Sequence, residues 1–224
     1  MRFKIYDKDY PVTSSLIIIT VLVFVLMFFQ SGTFEATSQT IYDFGGVYGR
    51  EINQEFSQIW RIVAAIFVHI RLEHILLNSL TLFFVGKQAE RIFGSLNFLV
   101  VYLLSGIMGN LFVLFFSPDS ISAGASTSLF GLFSTIVTLR YASRNPEIQH
   151  LGKAYFELLL INIVFSFLPG ISLAGHLGGL VGGVLCAFIF PIRYEGKVFG
   201  ETRSWLALIV YLVLAILLVF LPRL

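Results

Sequence analysis

LAGHLGGLVGGVLCAFIFP (residues 173–191) contains no Asp, Glu, Lys or Arg, and a single histidine, His176, sits among its apolar and glycine residues. A helix that crosses a bilayer needs about 20 mainly apolar residues, and this run supplies them. Gly175, Gly179 and Gly183 recur every four residues beside His176, a doubled GxxxG face. Small residues at that spacing let the backbone of a second helix come close. An ionisable ring inside such a run is costly unless it is partnered, so it marks a functional position. The stretch therefore reads as a buried helix of a membrane bundle that carries one reactive group.

The rest of the chain agrees. Of 224 residues, 57% are hydrophobic and 12% charged, the net charge is +2 and mean hydropathy is +0.86. Those values exclude a soluble globular domain, a disordered chain and a basic nucleic-acid binder, so no nucleic-acid partner is expected. Apolar runs near 12–30, 73–92, 96–116, 125–142, 154–169, 173–191 and 204–221 give seven expected spans. They leave no room for a second folded unit, and residues 1–224 are read as one all-α, polytopic membrane domain. No small-residue cleavage motif follows the first run, which is therefore expected to be a retained span. The lone Cys186 permits no disulfide framework.

Lys and Arg set the expected orientation. Arg2, Lys4, Lys8, Lys87, Arg91, Arg140, Arg144, Lys153, Arg193, Lys197 and Arg203 fall on one side, against Arg50, Arg61, Arg71 and Arg223 on the other. Residues 1–11 are then cytoplasmic, 31–72 form a long outer loop, and the C-terminus lies outside.

Polar residues within the spans gather at one depth. His74 and Asn78 in the second span are four apart and share a helix face. Ser126 follows Gly124 where the fourth span begins, and unpaired N–H groups at a helix start favour a developing anion. All of these, with His176, lie near the outer ends of their helices. A close approach along the glycine face of the sixth span would bring His176 to Ser126, giving a serine hydroxyl the base it needs. Rival chemistries fit poorly. A metalloprotease helix needs H-E-x-x-H, whereas His69 and His74 are five apart and would diverge by about 140° on one helix. No span carries two Asp, and Lys87 lies at the far end of its helix from Ser126. Position 128 is Ser rather than the Gly of a G-x-S-x-G elbow. No carboxylate lies at that depth, so the expected unit is a Ser–His dyad with no metal and no cofactor. A transporter or channel would need a path of ionisable groups or matched broken helices, and neither is visible.

At these residues the sequence resembles the rhomboid family of intramembrane serine proteases. Trp60-Arg61 is similar to the family's WR pair, and His69 to Asn78 to its H-x4-H-x3-N signature. Gly86, Glu90 and Gly94 are similar to G-x3-E-x3-G, Gly124-Ala-Ser126 to GxSG, and Gly175-His176 with Gly179 and Gly183 to (A/G)HxxGxxxG. The resemblance implies a six-helix core with an extra C-terminal span at 204–221. It implies Ser126 as nucleophile and His176 as general base, then acid. His74, Asn78 and the Ser126 backbone N–H would form an oxyanion hole. Phe130, one turn below Ser126, would support the His176 ring, and Trp60 would anchor the outer loop. Glu90 beside Arg91 would tie the inner end of the second span to a neighbour. The fifth span and the Leu168–Ser172 loop would serve as gate and cap, admitting single-span membrane proteins from the bilayer. A multi-pass protein of a bacterial cell membrane is the expected setting.

One residue departs from the pattern. The family places Gly after the serine, and this chain has Thr127. A β-branched residue there adds bulk between the fourth and sixth spans. Either Gly178 and Gly182 make room for it, or activity is reduced. The alternative reading is a catalytically impaired rhomboid-like protein that binds transmembrane helices.

Overall fold

The computed structural model describes residues 6–221. Arg2, Lys4 and Arg223, used in the orientation argument, lie outside the described residues.

The chain folds as a helical bundle. Helix α1 (Pro11–Ser31) is followed by a long connecting segment with three short helices, α2 (Ser38–Asp43), α3 (Gly49–Gln54) and α4 (Arg61–Ala64). A second long rod follows, made of α5 (Leu72–Thr81), a π turn (Leu82–Gly86) and α6 (Lys87–Phe93). Then come α7 (Ser95–Phe116), α8 (Ser126–Leu139), α9 (Pro146–Phe165), α10 (Leu173–Ile189) and α11 (Glu201–Phe220). Each of the seven expected spans falls on one of these rods. By length and composition α1, α7 and α11 can cross a bilayer, while α8 and α10 are apolar but shorter. The 14 residues of α8 rise only about 21 Å, less than a hydrocarbon core of about 30 Å. Its first residue, Ser126, can thus sit below the level of the membrane surface.

Helix α7 is central, with α8 and α10 packed on it. The glycines of α10 divide between two neighbours. Gly178 and Gly182 face Phe112, Met108 and Ser105 of α7, whereas Gly179 and Gly183 lie against the backbone of α8 at Thr127 and Gly131. At that distance hydroxyls reach across. Thr135 Oγ1 donates to the Gly183 carbonyl at 2.8 Å and Ser134 Oγ to the Leu180 carbonyl at 2.9 Å. Helix α11 covers α7 and α10, with the Tyr211 hydroxyl donating to the Leu104 carbonyl at 2.9 Å. Helix α9 packs chiefly on α8 and turns Leu160, Ile161, Val164 and Phe165 outward.

The segment between α1 and α5 is ordered by Arg61, whose guanidinium lies 3.9 Å from the Tyr42 ring centre and 4.9 Å from that of Trp60. It also donates to the Tyr42 carbonyl, and Asn110 of α7 donates to the Ile62 carbonyl at 2.7 Å. A two-residue antiparallel ladder, with β1 (Val47–Tyr48) pairing Val47 to Ser122 and Tyr48 to Ile121 of β2 (Ile121–Ser122), ties this segment to the loop before α8.

Two expected boundaries are corrected. The fifth rod starts at Pro146 rather than 154, because Asn145 caps the Glu147 N–H and Pro146 occupies the first turn. The fourth ends at Leu139, short of 142. Arg91 pairs with Glu147, whereas Glu90 ties the end of the second rod to a neighbour, as expected, and that neighbour is α1. Its carboxylate accepts from the Val12 N–H at 3.0 Å, the Thr13 N–H at 2.9 Å, Thr13 Oγ1 at 2.7 Å and Ser95 Oγ at 2.8 Å. A buried carboxylate with four donors is fully satisfied and complements the positive end of α1.

Candidate active site

Ser126 is the first residue of α8, entered through Ala125 and Gly124. Gly124 has φ +135°, which favours glycine, and its N–H donates to the Ala65 carbonyl at 2.9 Å. A Cβ there would stand 2.6 Å from His74 Cε1, so the missing side chain lets the loop pass directly over the imidazole.

The Ser126 hydroxyl lies 2.9 Å from His176 Nε2. The two come from α8 and α10, and the backbone approach at Gly179 and Gly183 is what closes the gap. Phe130, one turn into α8, stacks on the His176 ring at 4.0 Å between centres with 12° between planes. The side His176 turns away from Ser126 is also occupied. Its Nδ1 is 2.6 Å from Ser166 Oγ, at the end of α9. That partner is a hydroxyl. The sequence did hold a signal, since Ser166 is a polar residue near the C-terminal end of the apolar run 154–169.

His74 and Asn78 line the same cavity, of about 950 Å³, as Ser126, Phe130, Thr127 and His176. Asn78 Nδ2 is buried with no hydrogen-bond partner. A buried donor left unpaired is rare and costly, so it is available to an incoming acceptor. His69 also lies beside them. Its ring centre is 4.9 Å from that of His74, because residue 69 precedes α5 and the angular divergence of one helix does not apply. Burial, followed by the neighbouring His74, pushes the His69 imidazole down to about 3, so it is neutral near pH 7. It accepts from the Ala125 N–H through Nε2 at 3.4 Å, and its Nδ1 lies 3.3 Å from the Phe67 carbonyl oxygen, which holds the strand of chain that enters Ser126.

Thr127 is accommodated, though not by Gly178 and Gly182. Its side chain lies between α7 and α10 against Gly109 and Gly175, where added Cβ atoms would stand 2.6 Å from Thr127 Cβ and 3.1 Å from Thr127 Cγ2. Its hydroxyl is buried without a partner. Thr127→Val should therefore keep the shape and remove an unpaired polar atom, leaving the thermal midpoint in detergent unchanged or raised. Thr127→Gly should lower stability by about 1–3 kcal/mol, from the emptied space and the added backbone freedom. A more stable Thr127→Gly protein would contradict this account of the packing.

The match with known proteins follows the same residues. The Rhomboid domain family matches residues 57–193, the stretch from just before Trp60 to just beyond α10. The chain is 31% identical over 199 residues to rhomboid protease GluP of Bacillus subtilis, covering 88% of this chain and 38% of GluP. It is 28% identical over 195 residues to Rhomboid-like protease 3 of Toxoplasma gondii, covering 85% of this chain and 72% of that protein. It is also 30% identical over 180 residues to Inactive RHOMBOID-like protein 8 of Arabidopsis thaliana, covering 75% of this chain and 51% of that protein. The chain thus spans well under half the length of GluP. With more than half of its residues inside the family's domain, and the glycine-packed helices that carry Ser126 and His176 within that match, this chain is a membrane protein of the rhomboid family.

Proposed function

We propose that this chain is an intramembrane serine endopeptidase that cleaves single-span membrane proteins within the bilayer near its outer face. The observation that carries the reading is the 2.9 Å approach of Ser126 Oγ to His176 Nε2. Ser126 attacks the scissile carbonyl carbon as its proton passes to Nε2, and the carbonyl oxygen becomes an oxyanion. His74, the unpaired Asn78 Nδ2 and the Ser126 backbone N–H stabilise that charge; preorganised donors of this kind are a major contributor to acyl-transfer catalysis. The tetrahedral intermediate collapses, the C–N bond breaks, and His176 returns its proton to the leaving amine. Water from the outer side then hydrolyses the acyl-enzyme, with the same ring as base.

In this reading the N-terminus is cytoplasmic and the C-terminus outside. The substrate enters past α9, and the Leu168–Ser172 loop caps the site. Helix-weakening residues near the substrate's outer end promote cleavage, because a peptide bond inside a regular helix is shielded and its carbonyl already paired. Trp60 and Arg61 hold the outer segment, and Gly124, Gly179 and Gly183 permit the close approaches.

A second reading, a helix-binding protein without protease activity, draws on the Arabidopsis relative that bears the name inactive and on Thr127. The packing of Thr127 against Gly109 and Gly175 favours the protease. A serine-reactive fluorophosphonate probe separates the two. The liposome-reconstituted chain should label covalently, and Ser126→Ala should not. A folded parent chain that does not label would overturn the protease in favour of the binder.

A further inference from the structure

Ser166 ends α9, its side chain is buried, and its oxygen has two polar neighbours: His176 Nδ1 at 2.6 Å and the Asn162 carbonyl oxygen at 2.7 Å. A hydroxyl has one proton to give and two lone pairs with which to accept. The Asn162 carbonyl can only accept. The pair of bonds is therefore complete in one arrangement, with Ser166 donating to Asn162 and Nδ1–H donating to Ser166. That fixes the histidine tautomer. The proton sits on Nδ1, and the lone pair on Nε2 points at the Ser126 hydroxyl 2.9 Å away. Were Ser166 to donate to Nδ1 instead, Nε2 would carry the hydrogen and His176 would have no lone pair with which to deprotonate Ser126.

We propose that Ser166 is a positioning residue for His176. It holds the ring in its base-competent tautomer and, with the negative end of α9, steadies the imidazolium that forms when Ser126 gives up its proton. The proposal rests on the protease reading for its catalytic consequence, though the tautomer itself does not depend on it. No proton moves through Ser166; the Nδ1 hydrogen stays on Nδ1 while the Ser126 proton travels to Nε2 and onward to the leaving amine. The last turn of a helix presents carbonyls with no intrahelical donor and carries partial negative charge, and a cationic histidine there is favoured. The α9 terminus thus does part of the work that a carboxylate would do. The other neighbours of the ring divide the remaining duties: Phe130 covers one face, and His74 lines the same cavity.

The arrangement also links the base to the least enclosed helix of the core. Because α9 packs chiefly on α8, an outward tilt of α9 carries Ser166 off Nδ1 while Ser126 and His176 stay in place. Ring support is then greatest when α9 is seated.

Four chains in liposomes test this: the parent, Ser166→Ala, Ser166→Thr and, for assignment only, His176→Gln. In the parent, 15N-histidine solid-state NMR, with the His176 signal assigned by its loss in His176→Gln, should find the proton on Nδ1. Ser166→Ala should lower kcat about tenfold, as loss of an orienting partner does, with KM changed by less than about twofold. Ser166→Thr should recover most of that loss, which a packing role alone would not demand. A proton on Nε2 in the parent, or a Ser166→Ala chain with parental kcat, would overturn the proposal. A parent chain that neither cleaves nor labels yet carries its proton on Nδ1 would defeat the protease reading and leave the orientation of the ring by Ser166 standing.

Discussion

Ser126→Ala and His176→Ala chains, each reconstituted in liposomes with a single-span substrate, should cleave at least about 10⁴-fold more slowly than the parent. The double variant should be no slower than either single one. Residues that act as a unit lose their joint effect when the first is removed: without the hydroxyl there is no proton for His176 to take, and without the ring Ser126 attacks as a neutral alcohol. Ser126 begins α8 and loses only a hydroxyl, so Ser126→Ala should keep a parental unfolding midpoint, whereas His176→Ala, which empties the space stacked on Phe130, should unfold cooperatively at a lower one. Cleavage by Ser126→Ala at more than a hundredth of the parental rate would mean that another group is the nucleophile.

The largest structural effect is expected at the glycines of α10, and it should differ sharply between neighbours. A methyl at Gly179 would overlap the Thr127 carbonyl oxygen, carbonyl carbon and Cα, which are backbone atoms of α8 that cannot turn aside. Gly179→Ala must push the two helices apart, at a cost of about 3 kcal/mol or more for an overpacked core. The displacement falls beside His176 and should widen its separation from Ser126, so activity falls with stability. A methyl at Gly175 would instead stand 3.0–3.2 Å from Ser172 Oγ, Thr127 Cγ2 and Val113 Cγ2, all side-chain ends. Gly175→Ala should therefore cost less than about 1 kcal/mol. This matches the family pattern, which allows Ala or Gly before the histidine and only Gly three residues after it. Equal unfolding midpoints for the two variants would show that α8 and α10 are not in backbone contact.

What the sequence revealed and what it hid follow from the range of the interactions. Ser126 and His176 stood out because each is a polar residue in an apolar run, whereas Phe130 came only from the resemblance to the family. The division of the α10 glycines into a face for α7 and a face for α8 was only half legible, since a periodicity shows that a face exists but not which neighbour meets it. Gly178 and Gly182 were consequently assigned to Thr127, when the room comes from Gly109 and Gly175. Ser166 was hidden because a serine near a helix end usually bonds its own backbone, as this one also does to Asn162; its second partner comes from another helix. The start of α9 was obscured by Glu147 and Lys153, which lower the apolar signal, although Asn145-Pro146 marks the helix start clearly. His69 was read through a helix it does not belong to. The partner of Glu90 was hidden for a related reason, as local charge pairs are visible in a sequence and a bond to Thr13, 77 residues away, is not.

That carboxylate also bears on how the chain is made. Ribosomal synthesis delivers α1 to the membrane before α5 and α6, yet two of the N–H groups at its leading end, Val12 and Thr13, find their permanent acceptor only in Glu90. Lys87, one turn earlier, fastens Asp7 at 2.8 Å. Until that later segment emerges and inserts, the first helix has only water and lipid headgroups to satisfy its tip. Helix α1 is therefore locked in place only after the next rod has been inserted, and the order of manufacture is not the order of assembly.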